Sequence, residues 1–240
     1  MKKNVLFVCG FNTHPKDHND DDIYSIFSIY FMYSDYNISF FRYRTAEDIT
    51  DVRAALQKKI TEKSSVDPYH VVIAHSMGGA LVMKTMSECP DCLQDIKIIL
   101  LMPFLTSNPL LDFVCSIPFI QHFKIPKNIL IPNHKLHSMG NVFNDNFNLV
   151  YTKQVYDVHK NILLPKDILL ELINNHKDLL IIYANDEQVC PFDKDMLNGC
   201  IASDKLKCFE GQHVIFVDLK HFSSFFEYIH TLLLRENSNT

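Results

Sequence analysis

Two hydrophobic periods alternate along this chain. Asn4 to Cys9 (NVLFVC) is an unbroken apolar run of β-branched and aromatic type that stops at Gly10, the pattern of a strand buried on both faces of a parallel sheet. From Asn19 to Met32 the period lengthens. Asp20, Asp21 and Asp22 head the stretch, and Ile23, Ile26, Phe27, Tyr30 and Phe31 recur at helical spacing, which predicts an amphipathic helix with acids at its positive end.

The alternation continues. Ile38–Tyr43, Val71–Ala74, Ile96–Phe104, Leu179–Ala184 and Leu206–Phe209 read as strands. Asp48–Lys63, with Ile49, Val52, Leu56 and Ile60 on one face, reads as a helix, as do Gly78–Cys89, a short segment after Phe192, and Phe222–Leu234. Strand following helix in this way argues one α/β domain over residues 1–240, with a mostly parallel, doubly wound sheet and right-handed crossovers. One interval breaks the rhythm. Residues 105–177 carry Pro109, Pro118, Pro126, Pro132 and Pro165 among irregular apolar clusters, and a connection of that length reads as a cap or lid over a site. Its apolar residues, Leu110, Phe113, Phe119 and Phe123 among them, are enough to line an acyl pocket or to form the cap's own core.

Composition narrows the function. A net charge of −5 supplies no basic footprint for nucleic acid or an anionic membrane. No apolar stretch approaches the roughly 18–20 residues of a spanning helix. Seven cysteines, an odd number without a tight framework, read as reduced thiols, and a cytoplasmic protein acting on a small molecule is expected. Only six glycines occur, and Gly10, Gly78, Gly79 and Gly211 fall at turns where the chemistry below is placed.

That chemistry starts at Ala74-His75-Ser76-Met77-Gly78-Gly79, which follows an apolar strand and opens a helix. A serine there sits on a turn so sharp that the positions two before and two after it must be small, as Ala74 and Gly78 are. The helix aims backbone N–H groups at the serine oxygen, where negative charge develops in acyl transfer. His137-Ser138-Met139-Gly140 repeats four of these letters without a strand before it, and reads as coincidence. A serine hydroxyl becomes a nucleophile when an imidazole takes its proton and a buried carboxylate orients that imidazole. Acid then histidine are expected at the ends of later strands. Asp186 occupies the first place, with Glu187 as the adjacent competitor and Asp193 behind it; His213 occupies the second, with His221 as its rival. The backbone N–H groups of Phe11 and Met77 are the candidate oxyanion donors. Cys89-Pro90-Asp91-Cys92 has redox or zinc spacing but follows a helix and lacks a matching second pair, and no metal or cofactor is expected.

These residues resemble the α/β-hydrolase superfamily. AHSMGG is similar to the GHSMGG elbow of its esterases and lipases, VLFVCGF to its oxyanion strand with Cys9 where histidine is usual, NDEQVCP to its acid loop with one residue inserted, and EGQH to its terminal histidine motif. GFNTHP also resembles the opening of a group of small bacterial esterases. The resemblance covers residues 4–104 and 178–234 and implies an α/β-hydrolase fold lacking the first N-terminal hairpin. It further implies a serine hydrolase acting on an acyl ester through Ser76, Asp186 and His213. A thioesterase, an amidase and a catalytically silent ligand-binding module remain alternatives.

Overall fold

The computed structural model describes residues 2–10, 23–44, 47–64, 67–107, 109–122, 124–126, 149–151, 156–187, 200–218 and 220–234. Six strands form one sheet: β1 (Lys3–Val8), β2 (Tyr36–Phe41), β3 (Tyr69–His75), β4 (Lys97–Leu101), and, after a separate hairpin of β5 (Lys124–Pro126) and β6 (Leu149–Tyr151), β7 (Leu179–Ala184) and β8 (Leu206–Phe209). Their order across the sheet is β2-β1-β3-β4-β7-β8, and every neighbouring pair is parallel. The antiparallel β5–β6 pair stands apart.

Period-two alternation inside the strands divides the core. From β1, Leu6 and Val8 face the layer of helices α2 (Ile49–Ser64), α3 (Met77–Glu88) and α5 (Lys166–Asn175). Val5, Phe7 and Cys9 face the opposite layer, formed by α1 (Ser25–Met32) and α6 (Phe222–Leu234). The predicted stripe of α2, Ile49, Val52, Leu56 and Ile60, is buried, as are Phe27 and Phe31 of the stripe predicted for α1; α6 buries Phe225, Phe226, Ile229 and Leu233. Lys205 closes the carboxyl end of α5, where Nζ donates to the carbonyls of Ile173, Asn174 and His176 at 2.6, 2.9 and 2.6 Å. A cation there meets the negative end of the helix dipole.

Part of the interval 105–177 belongs to the main core. It begins with α4 (Pro109–Ser116), but a π-helical turn at Val158–Ile162 and then α5 bury Val158, Ile162, Leu169 and Ile173 in the core under the sheet. The apolar residues at its end therefore belong to the body of the domain. The cysteines also differ from the expectation of free thiols. The chain leaves α3 through a tight 3₁₀ turn at Pro90–Cys92, the Cys92 amide donates to the Cys89 carbonyl, and the two side chains, with Cα atoms 5.5 Å apart, form a disulfide. Among the described residues Cys9, Cys115, Cys200 and Cys208 are in no disulfide. No helix among the described residues is long and apolar enough to cross a membrane.

The order in which strands are added to the sheet switches sides between β1 and β3, since β2 lies on one side of β1 and β3 on the other. In open parallel sheets such a switch point leaves a crevice at the carboxyl ends of the strands. Gly10 and Ser76 follow those two ends.

Candidate active site

The elbow is built by strain and small residues. Ser76 has φ 55° and ψ −124°, a backbone region that side chains other than glycine rarely occupy, and it caps α3. Main-chain hydrogen bonds hold it there: its amide donates to the Leu101 carbonyl at 3.0 Å, and its carbonyl accepts from the amides of Gly79 and Phe104 at 3.0 and 2.9 Å. Glycine at position 78 is a matter of space, because a Cβ would lie 2.5 Å from the Val8 carbonyl oxygen and 2.7 Å from that of Cys9. Gly79 is pressed in the same way against Pro103, whose Cβ would lie 2.6 Å from an added one. α3 thus packs its first turn onto the end of β1, and the Met77 amide is among those an α-helix leaves without an intrahelical partner.

His213 is brought to the elbow from the loop after β8. Its ring centroid lies 4.7 Å from that of His75, the residue before Ser76, and its backbone carbonyl accepts a hydrogen bond from His75 Nε2 at 3.0 Å. Gly211, at φ 134°, turns the chain into this loop.

The acid facing His213 is Glu187. Its Oε2 accepts from His213 Nδ1 at 2.7 Å, and both side chains are buried, 3% and 5% exposed. This corrects the expectation for Asp186, which is exposed and accepts from Gln212 Nε2 at 3.3 Å. The turn decides between the adjacent acids. The Asp186 amide donates to the Gly211 carbonyl and the Glu187 amide to the Ala184 carbonyl, so the loop folds back at Asp186 and sends the next side chain inward. The rival base is accounted for: His221 opens α6, with Nε2 3.9 Å from Asp218 Oδ2.

Other expected residues fall differently. Phe11, Phe123, Ser138, Asp193 and the segment after Phe192 lie outside the described residues, and the side chain of Leu110 does too. Phe113 and Phe119 are 64% and 69% exposed, so neither belongs to a core of the cap, and Phe119 has a positive φ of 62°. Among the described residues no group of three or more His, Cys, Asp or Glu is arranged to hold a metal ion.

No protein-family model matches the sequence, and no curated protein does. Solved structures match over nearly the whole chain. A metagenome-derived lipolytic enzyme, described in work on LipS and LipT, superposes with a TM-score of 0.67 at 14% identity, covering 96% of this chain and 93% of its own. A soluble variant of monoglyceride lipase from Saccharomyces cerevisiae, in complex with a substrate analog, gives 0.65 at 16% identity over 97% and 86%. This chain has the α/β-hydrolase fold. The monoacylglycerol lipase of Paleococcus ferrophilus is a further α/β-hydrolase neighbour, with a TM-score of 0.62 at 15% identity, covering 95% of this chain and 93% of that one.

Within this α/β-hydrolase scaffold His75 is fully inside, and burial, reinforced by the charge of His213, holds its pKa well below the usual histidine value. The unfolded chain binds a proton at this residue below about pH 6.5, and the folded chain does not. The stability associated with His75 is therefore complete above that pH and falls as pH drops below it. Urea midpoints measured at pH 7 and pH 5 are expected to fall further for the native protein than for His75→Gln; equal losses would contradict this.

Proposed function

We propose that this chain is a serine hydrolase that cleaves acyl esters, with Ser76 as nucleophile, His213 as general base and Glu187 as the orienting carboxylate. One observation carries the reading: a buried Glu187–His213 pair at 2.7 Å is joined through the His213 carbonyl to His75, the residue before a serine on a strained strand-to-helix turn. Because Nδ1 of His213 donates to the carboxylate, the neutral ring has its proton there and a bare Nε2. That nitrogen takes the Ser76 hydroxyl proton as the oxygen attacks the ester carbonyl. Negative charge on the carbonyl oxygen is met by the Met77 amide at the start of α3, with Phe11 proposed as the second donor. Collapse of the tetrahedral species breaks the bond to the leaving alkoxide, which receives the proton from His213 Nε2. Water repeats the sequence on the acyl-enzyme and frees the acid.

The lipase and esterase neighbours support an ester substrate. A fluorophosphonate probe that labels the native chain and spares Ser76→Ala tests the nucleophile. Failure to label the native chain would favour a silent binding module. Ester, thioester and amide analogues of one acyl group distinguish the leaving groups.

The exposed rings of Phe113 and Phe119 suit an acyl chain. The segment that bears them leaves the site directly, since the Phe104 amide is bonded to Ser76. Each methylene removed from water contributes about 0.8 kcal/mol. Ordering the chain consumes much of that, so kcat/KM is expected to rise roughly ten-fold from C2 to C8 esters. Phe119→Ala is expected to flatten this profile while sparing acetate hydrolysis. A native profile that falls beyond acetate would indicate a small or polar substrate.

A further inference from the structure

We propose that Tyr24 and His75 are positioning residues for this reaction: a directed line of hydrogen bonds through them, from the Gly10 amide to the His213 carbonyl, holds three loops of the site in register. The proposal rests on the serine-hydrolase reading above. Its links are short. Gly10 N–H donates to the Tyr24 hydroxyl at 2.8 Å, that hydroxyl lies 2.8 Å from His75 Nδ1, and His75 Nε2 lies 3.0 Å from the His213 carbonyl oxygen.

The chemistry of the groups sets the direction of each bond. A carbonyl oxygen only accepts, so His75 Nε2 carries the proton. Burial keeps the ring neutral, which leaves Nδ1 bare and able to accept. The Tyr24 hydroxyl, already accepting from Gly10, gives its single hydrogen to Nδ1. The line thus runs amide, phenol, imidazole, carbonyl, with its polar hydrogens assigned.

Neighbouring groups leave it little room to change. Tyr24 is buried with its ring 5.0 Å from Phe7 and stacked on Phe216 at 5.8 Å, and His75 meets the edge of Phe216 at 5.0 Å. A Cβ on Gly10 would lie 3.0 Å from Ser76 Cβ, 3.1 Å from the Tyr24 hydroxyl and 3.2 Å from His75 Nδ1, so the loop after β1, the elbow and the phenol converge at one point.

Two consequences bear on catalysis. Gly10 precedes Phe11, the proposed second oxyanion donor, and its amide is held by the Tyr24 hydroxyl. His75, held neutral with its ring 4.7 Å from His213, adds no positive charge against the imidazolium that His213 becomes during the reaction. Packing alone would supply neither effect.

Tyr24→Phe removes one oxygen and leaves the ring in its cluster. On a short p-nitrophenyl ester it is expected to lower kcat by about ten- to hundred-fold, the scale of a slightly misplaced catalytic group, with KM unchanged within about two-fold. Unchanged kcat with only a lower Tm overturns the proposal, since that is a purely structural effect. A native chain that neither turns over esters nor labels with fluorophosphonate overturns the hydrolase reading, and with it the catalytic task of the line. The line itself is checked on the native protein by ¹⁵N NMR of the imidazoles, whether or not Tyr24→Phe folds. His75 is expected as the Nε2–H tautomer without titration between about pH 5.5 and 8. A proton on Nδ1, or titration near 6.5, overturns the line independently of turnover.

Discussion

Ser76→Ala is expected to lower ester hydrolysis by about 10⁴-fold or more while leaving the protein folded, because the nucleophile is one member of a unit whose parts fail together. The stability expectation follows from the backbone. Alanine at φ 55° meets the same strain as serine, and the hydrogen bonds to Leu101, Gly79 and Phe104 that hold the turn join main-chain atoms. Little packing is lost with one hydroxyl. Steady-state kinetics beside thermal melting check both halves. Activity that survives Ser76→Ala and disappears with Ser138→Ala would move the nucleophile to the second His-Ser-Met-Gly sequence.

The second large effect separates two neighbouring acids. Glu187→Gln is expected to reduce kcat by about 10³- to 10⁴-fold, because an amide in place of the carboxylate no longer selects the tautomer with a bare Nε2 or stabilises the imidazolium. Asp186→Asn is expected to stay within about three-fold of the native rate, since Asp186 is exposed and contacts Gln212. Measuring both variants at one pH against one ester decides the matter. Reversed losses would return the orienting role to Asp186.

This pair also marks where sequence reasoning ran out. A buried strand is legible as a short apolar run ended by a turn, as Leu179–Ala184 is; the half-buried strand Leu206–Phe209 and the helix Phe222–Leu234 also keep their expected bounds. The elbow was legible because its steric demand selects residue types, and Ala74 and Gly78 meet it. Nothing comparable distinguishes Asp186 from Glu187. Their difference is the direction in which a four-residue turn points each side chain, and that is set by hydrogen bonds to Ala184 and Gly211 that sequence spacing does not encode. Tyr24 escaped notice for a related reason. It reads as one more aromatic at the head of an amphipathic helix, and its hydroxyl becomes meaningful only once His75, 51 residues away, lies against it. The interval 105–177 misled in the opposite sense: proline breaks and irregular apolar clusters resembled one cap, yet α5 within it faces the main core.

The hydrogen-bonded line from Gly10 to His213 closes across 14, 51 and 138 residues of chain. Each closure carries a loop entropy that grows with length, and an all-parallel sheet offers few local contacts to offset it early in folding. On the proposed function, chemical competence is therefore a late event in folding. A chain with β1 to β4 assembled would already hold the strained serine, but it would lack the imidazole that activates it and the carboxylate that orients the imidazole. On that reading an incompletely folded chain does not react with esters.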